Sequence, residues 1–267
     1  MAWRKSANSL LRKLTGYELR KYRPVTAKPK PPAPPKPPAR PAPAKPLPPT
    51  LHDFTKLSGE LEASPTDFLE ALGWPADEVA KVTDEFDEVT AALERRYAET
   101  ETKFPPRWGV ERGTGLALYG LTRLLQPTTV VETGVADGRS SYMILSALER
   151  NGHGILHSFD VRPDAGSLAR GHAQWNLTTS DAQDPRSTFT AALAGLDVID
   201  LFVHDSDHGY PNQMFEYESA WPKVPAGGVL ASDDVDLTKA YVDFATRHEL
   251  RPRFLFDRRK ILGAIRR

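Results

Sequence analysis

The chain has 267 residues, no cysteine, and 35 basic against 35 acidic side chains. Disulfides, thiolate metal sites and a cysteine nucleophile are therefore excluded, and the length suits one α/β domain with extensions or two small domains. The zero net charge hides a division: residues 1–49 carry twelve Lys or Arg and one acid, Glu18, leaving 23 basic and 34 acidic residues in the rest.

Met1 to Arg23 places Trp3, Leu10, Leu11, Leu14 and Tyr17 at helical spacing with Arg and Lys interleaved, the pattern of a basic amphipathic helix. Two readings stay open for this arm: a solvated segment, or a contact with an anionic membrane surface or an acidic protein. From Pro24 to Pro49 thirteen of 26 residues are proline, which excludes regular helix and sheet pairing. Residues 24–50 read as a semi-rigid polyproline spacer. Residues 51–108 form a helical region, with a helix start at Ser64-Pro65-Thr66-Asp67 and a longer helix over Ala76 to Tyr97. No run of 18 apolar residues and no signal-peptide pattern occur, so the expectation is a soluble, cytoplasmic protein, at most peripheral at the inner membrane face, with no nucleic-acid partner.

Residues 109–267 read as the main domain. A helix is expected over Gly113 to Leu125. Beyond Pro127, short apolar runs at Thr129–Thr133, Ile155–Phe159, Trp175–Leu177, Val198–His204, Val229–Ser232, Phe254–Phe256 and Lys260–Ile265 read as strands. Helices at about Ser140–Arg150, Ala165–His172, Arg186–Leu193, Met214–Trp221 and Lys239–His248 fall between them. Strands separated by helices imply a seven-stranded, mostly parallel α/β sheet, doubly wound with helices on both faces.

In such a sheet ligands bind at the carboxyl ends of the strands, where a Gly-rich turn admits close approach. The turn Glu132-Thr133-Gly134-Val135-Ala136-Asp137-Gly138-Arg139-Ser140-Ser141 has this position. It lacks the third-position glycine of a dinucleotide fingerprint, which would fall at Ala136, and the lysine of a phosphate-binding loop. Glu132 at the strand end repels phosphate and suits a ligand with a cationic amino acid group. The next strand ends in Asp160, at the spacing of a ribose-binding carboxylate. Ser180-Asp181-Ala182 follows the third strand, and Asp181 can accept a bond from an adenine amino group. Each Asp alone also suits a turn or a helix cap; three such features in order on one sheet edge favour a nucleoside-bearing cofactor.

These residues resemble the nucleotide motifs of class I S-adenosyl-L-methionine (SAM)-dependent methyltransferases, which are Rossmann-like. Glu132 to Gly138, with Asp137 and Ser140, is similar to their first motif, and Asp160 and Asp181 are similar to the second and third. The resemblance implies that the Gly134/Gly138 loop faces the methionine portion, that Asp160 holds the ribose and that Asp181 holds the adenine.

Two further strand ends carry acids: His204-Asp205-Ser206-Asp207-His208-Gly209-Tyr210 and Ser232-Asp233-Asp234. Neighbouring strand ends lie about 5 Å apart, so Asp205, Asp233 and Asp234 can converge beside the cofactor. Clustered carboxylates need a proton or a cation, and an all-oxygen set suits Mg2+. The alternative is that these residues cap their own turns. The whole arrangement, with Pro222 and Gly227-Gly228 between the acids, resembles bacterial macrocin-type sugar O-methyltransferases and cephalosporin hydroxylase-like proteins. That resemblance implies a metal on Asp205, Asp233 and Asp234, with Asp205 also beside the cofactor, and Asp207 as base; His208 is the other candidate. Trp108, Tyr210 and Trp221 read equally as lining groups or core. The expected activity is methyl transfer to a hydroxyl of a small-molecule or glycan acceptor. A nucleotide-dependent oxidoreductase and a non-catalytic methyltransferase-like module are the alternatives, and a homodimer is compatible with the sequence.

Overall fold

The computed structural model describes residues 61–267. The basic arm, the proline-rich spacer and the first ten residues of the 51–108 region lie outside the described residues.

The chain opens with a two-residue strand β1 (Leu61–Glu62), then α1 (Pro65–Ala71). Ser64 caps α1, its hydroxyl accepting from the Asp67 amide at 3.5 Å with Pro65 in the first turn, as the sequence implies. The helix expected over 76–97 is interrupted at Glu85 into α2 (Ala76–Asp84) and α3 (Phe86–Glu99). The Glu85 carboxylate accepts there from Tyr119 Oη at 2.7 Å and Arg123 Nε at 2.8 Å. Both donors belong to α4 (Arg112–Leu125).

Strands and helices then alternate: β2 (Thr129–Thr133), α5 (Arg139–Asn151), β3 (Ile155–Asp160), β4 (Trp175–Thr179), α6 (Pro185–Ala194), β5 (Leu201–His204) and α7 (Tyr210–Ala220). The chain finishes with β6 (Val229–Ser232), α8 (Ala240–Arg247), β7 (Arg253–Asp257) and β8 (Lys260–Arg266). The sheet order is β1-β7-β8-β6-β5-β2-β3-β4. All pairings are parallel except those of β8, which runs antiparallel to both β6 and β7.

Side chains alternate across the pleat and divide the core into two layers. Val130, Leu201, Val203 and Ala231 pack with Phe68 and Leu69 of α1, Leu118 and Leu121 of α4, and Ile144 and Leu148 of α5. Val131, Phe202 and Leu230 face the other way, against Phe189 of α6, Tyr217 of α7 and Phe244 of α8. Helices on both faces are what continuous apolar strands require, and the sheet is doubly wound.

Two expectations are corrected. The sheet has eight strands rather than seven, because β1 joins its edge with Leu61 opposite Phe254 and Glu62 opposite Leu255. The segment 165–172 forms turns, not a helix. Gly166 and Gly171 adopt positive φ there, and the Gly166 and Leu168 amides donate to the carbonyls of Ala136 and Asp137 instead of closing helical bonds. Among the described residues no helix is long and apolar enough to cross a membrane.

Candidate active site

From β2 the chain winds toward β3 and β4 on one side, then crosses to β5 and β6 on the other. This reversal opens a crevice at the carboxyl ends of β2 and β5, the usual ligand position in such sheets. A cavity of about 690 Å³ lies there, bordered by residues 133–136, 159–162 and 205–208 together with Phe104, Trp108, Asp234 and Lys260.

The Gly-rich turn has the conformation its sequence calls for. Gly134 has φ +81°, and a Cβ added to it would stand 2.0 Å from the Asp205 carbonyl oxygen. Gly138 has φ +85° and caps α5. Asp160 fastens the turn from β3: its Oδ2 accepts from the amides of Val135 at 2.8 Å and Ala136 at 3.1 Å. Ala136 is thereby held at φ +47°, a conformation unfavourable for a residue with a Cβ. Asp160 also borders the cavity, so one carboxylate both shapes the loop and faces the ligand space.

Glu132 does not reach that space. It is fully buried and accepts from Ser140 Oγ at 2.6 Å, Ser141 Oγ at 2.6 Å and Ser158 Oγ at 2.7 Å. Burial pushes its pKa up, against the three hydroxyls. It ties β2 to the start of α5 and to β3, rather than facing a cationic group; Ser140 is spent on the same tie. Asp137 also turns away from the main cavity. Its carboxylate accepts from the amides of Lys103 at 2.8 Å and Phe104 at 3.1 Å, and from Ser167 Oγ at 3.1 Å. Asp137 thus holds the segment that carries Phe104 and Trp108 over the cavity. Asp181 is exposed and accepts from the Gln183 amide at 2.9 Å; its neighbour Ser180 is the residue that borders the cavity.

On the other wall a buried network sets the β5 loop. Glu216 of α7 accepts from Thr133 Oγ1 at 2.5 Å, His204 Nδ1 at 2.7 Å, Ser206 Oγ at 2.8 Å and Asn212 Nδ2 at 3.0 Å. Burial would raise the Glu216 pKa, but His204 and the two hydroxyls outweigh it and hold it below the ordinary value. Among the acids, Asp205 and Asp234 border the cavity, whereas Asp233 is 1% exposed and lies behind them. Asp207 borders the cavity but is exposed, and its Oδ1 accepts from the Gly209 amide at 3.0 Å, a turn-closing bond. His208 Nε2 stands 3.5 Å from Asp205 Oδ1 and 3.9 Å from Asp234 Oδ2, contacts between charges rather than formed hydrogen bonds.

A residue absent from the sequence-based site completes the cluster. Lys260, at the start of β8, places Nζ 2.8 Å from Asp233 Oδ2 and 3.0 Å from Asp234 Oδ2, and its side chain is 6% exposed. Asp233 Oδ1 is buried without a partner. Burial, then the Asp233 charge, lifts the Asp205 pKa to about 7. For Lys260, burial works against the ammonium, but Asp233, Asp205 and Asp234 hold its pKa well above the usual lysine range. Among the described residues, one group of potential ligand atoms lies within 4.8 Å of one another: Asp205, His208 and Asp234, with His208 rather than Asp233 beside the other two. Trp108 borders the cavity, Tyr210 donates to Asp243 Oδ2 at 3.0 Å, and Trp221 packs in the core.

Residues 131–235, which hold the turn and most of this cluster, match a family model described as a methyltransferase domain. No curated protein sequence matches the chain. Solved structures share its architecture at low identity. The O-methyltransferase from Bacillus cereus in complex with SAH is 16% identical, aligned over 68% of this chain and 90% of its own, with a TM-score of 0.50. The SAH-bound Podospora anserina methyltransferase PaMTH1 is 16% identical over 68% and 95%, with a TM-score of 0.51. A methyltransferase from Geobacter sulfurreducens is 20% identical over 70% and 96%, with a TM-score of 0.50. The described chain therefore has the fold of these methyltransferases, with a methyltransferase domain matched across its central strands.

Proposed function

We propose that this protein transfers a methyl group from SAM to a hydroxyl oxygen of a sugar or secondary metabolite. The observation that carries this reading is the joining, in one cavity, of the turn Gly134–Ala136 held by Asp160 to the Asp205–His208 loop. The first half suits the cofactor: the turn residues 133–136 border the cavity, and Asp160 and Ser180 offer acceptors for a nucleoside. The second half suits proton removal from an acceptor hydroxyl.

Bound along the turn, SAM supplies a methyl group already activated by the sulfonium. The chain's own task is to align the acceptor oxygen and take its proton, and alignment alone lowers such barriers by several kcal/mol. His208 is the better-placed base of the two candidates. Its ring borders the cavity between two carboxylates that stabilise the imidazolium formed when the proton is taken, whereas the Asp207 carboxylate is exposed and engaged with its own turn. Methyl transfer would leave S-adenosylhomocysteine and release the hydroxyl proton, which the His208 imidazole would take. Phe104 and Trp108 border the same cavity. A divalent ion does not fit the expected triad, because the ammonium of Lys260 already occupies the facing oxygens of Asp233 and Asp234.

The test is calorimetric titration with SAM and with NAD, followed by a methyl-transfer screen against sugar and phenolic hydroxyls. Binding of SAM without NAD, and loss of transfer in His208→Asn with SAM affinity retained, support the proposal. Absence of SAM binding, or undiminished transfer in His208→Asn, overturns it or its choice of base, respectively.

A further inference from the structure

The acidic corner of the cavity already contains a cation, and it belongs to the chain. The antiparallel β8 lies beside β6, with Gly263 opposite Ser232, which brings Lys260 past the carboxyl end of β6 and against Asp233-Asp234. Its ammonium is shared by one oxygen of each acid at 2.8 and 3.0 Å, in a setting where both Lys260 and Asp233 are almost fully buried. Asp234, at φ +50°, adopts the left-handed conformation while making this contact.

Two ways of seating a divalent ion conflict with this arrangement. An ion on Asp205, Asp233 and Asp234 must displace the ammonium, leaving a 6% exposed lysine without its counter-charges, and breaking a buried pair in this way is strongly destabilising. An ion on Asp205, His208 and Asp234 must share Asp234 with the ammonium, whose Nζ stands 3.0 Å from Asp234 Oδ2, so two positive charges face each other across one carboxylate. We propose that Lys260 is the resident cation of this site: its ammonium takes the place of a divalent ion on Asp233 and Asp234, and the protein works without metal. Lys260 is then a positioning residue, fixing Asp234 and through it the charge around His208. The activity arm of the test rests on the methyl-transfer reading above; the binding arm does not.

The experiment uses the full chain after dialysis against a chelator. Mn2+ is titrated and followed by electron paramagnetic resonance of the free ion, with Mg2+ by calorimetry, on the wild type and on Lys260→Met. Wild type is expected to bind neither ion at sub-millimolar concentration, and its methyl transfer is expected to be the same with chelator as with Mg2+. Lys260→Met, having lost the ammonium, is expected to bind Mn2+ about tenfold or more tightly than wild type. That gain is expected to disappear when Asp234→Asn is added. One Mn2+ bound to wild type and lost in Asp205→Asn or Asp234→Asn overturns the proposal, as does a folded Lys260→Met that gains no affinity. If Lys260→Met fails to fold, the wild-type titration still decides, together with Lys260→Arg, which keeps the cation and is expected to exclude Mn2+. SAM affinity, measured on the same samples, distinguishes failure of the methyltransferase reading from failure of this one.

Discussion

At the scale of single residues, Glu132 shows how a motif position does its work out of sight of the ligand. Three hydroxyls converge on it, and removing the carboxylate strands all three in a dry interior. Glu132→Ala is expected to destabilise the fold by about 3 kcal/mol in chemical denaturation, combining lost hydrogen bonds with a cavity. Glu132→Gln keeps an acceptor and the volume, and is expected to cost about 1 kcal/mol or less. Glu216 gives a pH signature. Its folded-state pKa lies below the ordinary 4.5, so its ionised form adds stability that is complete above that value and is lost as pH falls through the lowered one. Thermal unfolding of wild type and Glu216→Gln is therefore expected to differ most near neutral pH, with the gap closing on acidification. Of the site, Gly134, Asp160 and Asp205 were legible as cavity residues from their strand-end positions. Lys260 was not, because it meets Asp233 and Asp234 only across 27 and 26 residues of sequence, nor was Glu216, whose tie to Thr133 spans 83.

At the scale of elements, strands β2, β5, β6 and β8 announce themselves through apolar runs whose two faces are both buried. β1 does not, since two residues carry no periodicity and its pairing with β7 is supplied by the sheet edge. The segment 165–172 misleads for a related reason: its apolar Ala165, Leu168 and Ala169 fall at helical spacing and are indeed buried, yet its amides answer the carbonyls of the Gly-rich turn. Arg96 of α3 seals this arrangement by donating to the carbonyls of Leu168 and Arg170 at 3.1 and 2.7 Å. The segment before α4 is held just as locally. With both of its anchoring amides bonded to one carboxylate, Asp137→Ala is expected to free residues 100–109. Amide hydrogen exchange should rise there and leave β2 and β5 unchanged.

For the molecule as a whole, the doubly wound order places the two halves of the cavity on opposite sides of the switch point, one from each direction of winding. The charge division along the chain has a direct readout. The full chain carries no net charge, but twelve of its 35 basic residues fall within 1–49. The full chain is expected to be retained on a cation exchanger near pH 7, and a form beginning at residue 50 on an anion exchanger instead. Equal behaviour of the two would contradict the division.

The contact between β8 and the acidic corner has a last consequence. A diffusible ion comes and goes with its concentration, and its absence leaves a folded but idle protein. A cation carried on the final strand has no such freedom. Lys260 reaches Asp233 and Asp234 only when β8 has inserted between β6 and β7. Completing the sheet and balancing the charge of the cavity are therefore a single event, and every molecule that has finished folding is already loaded.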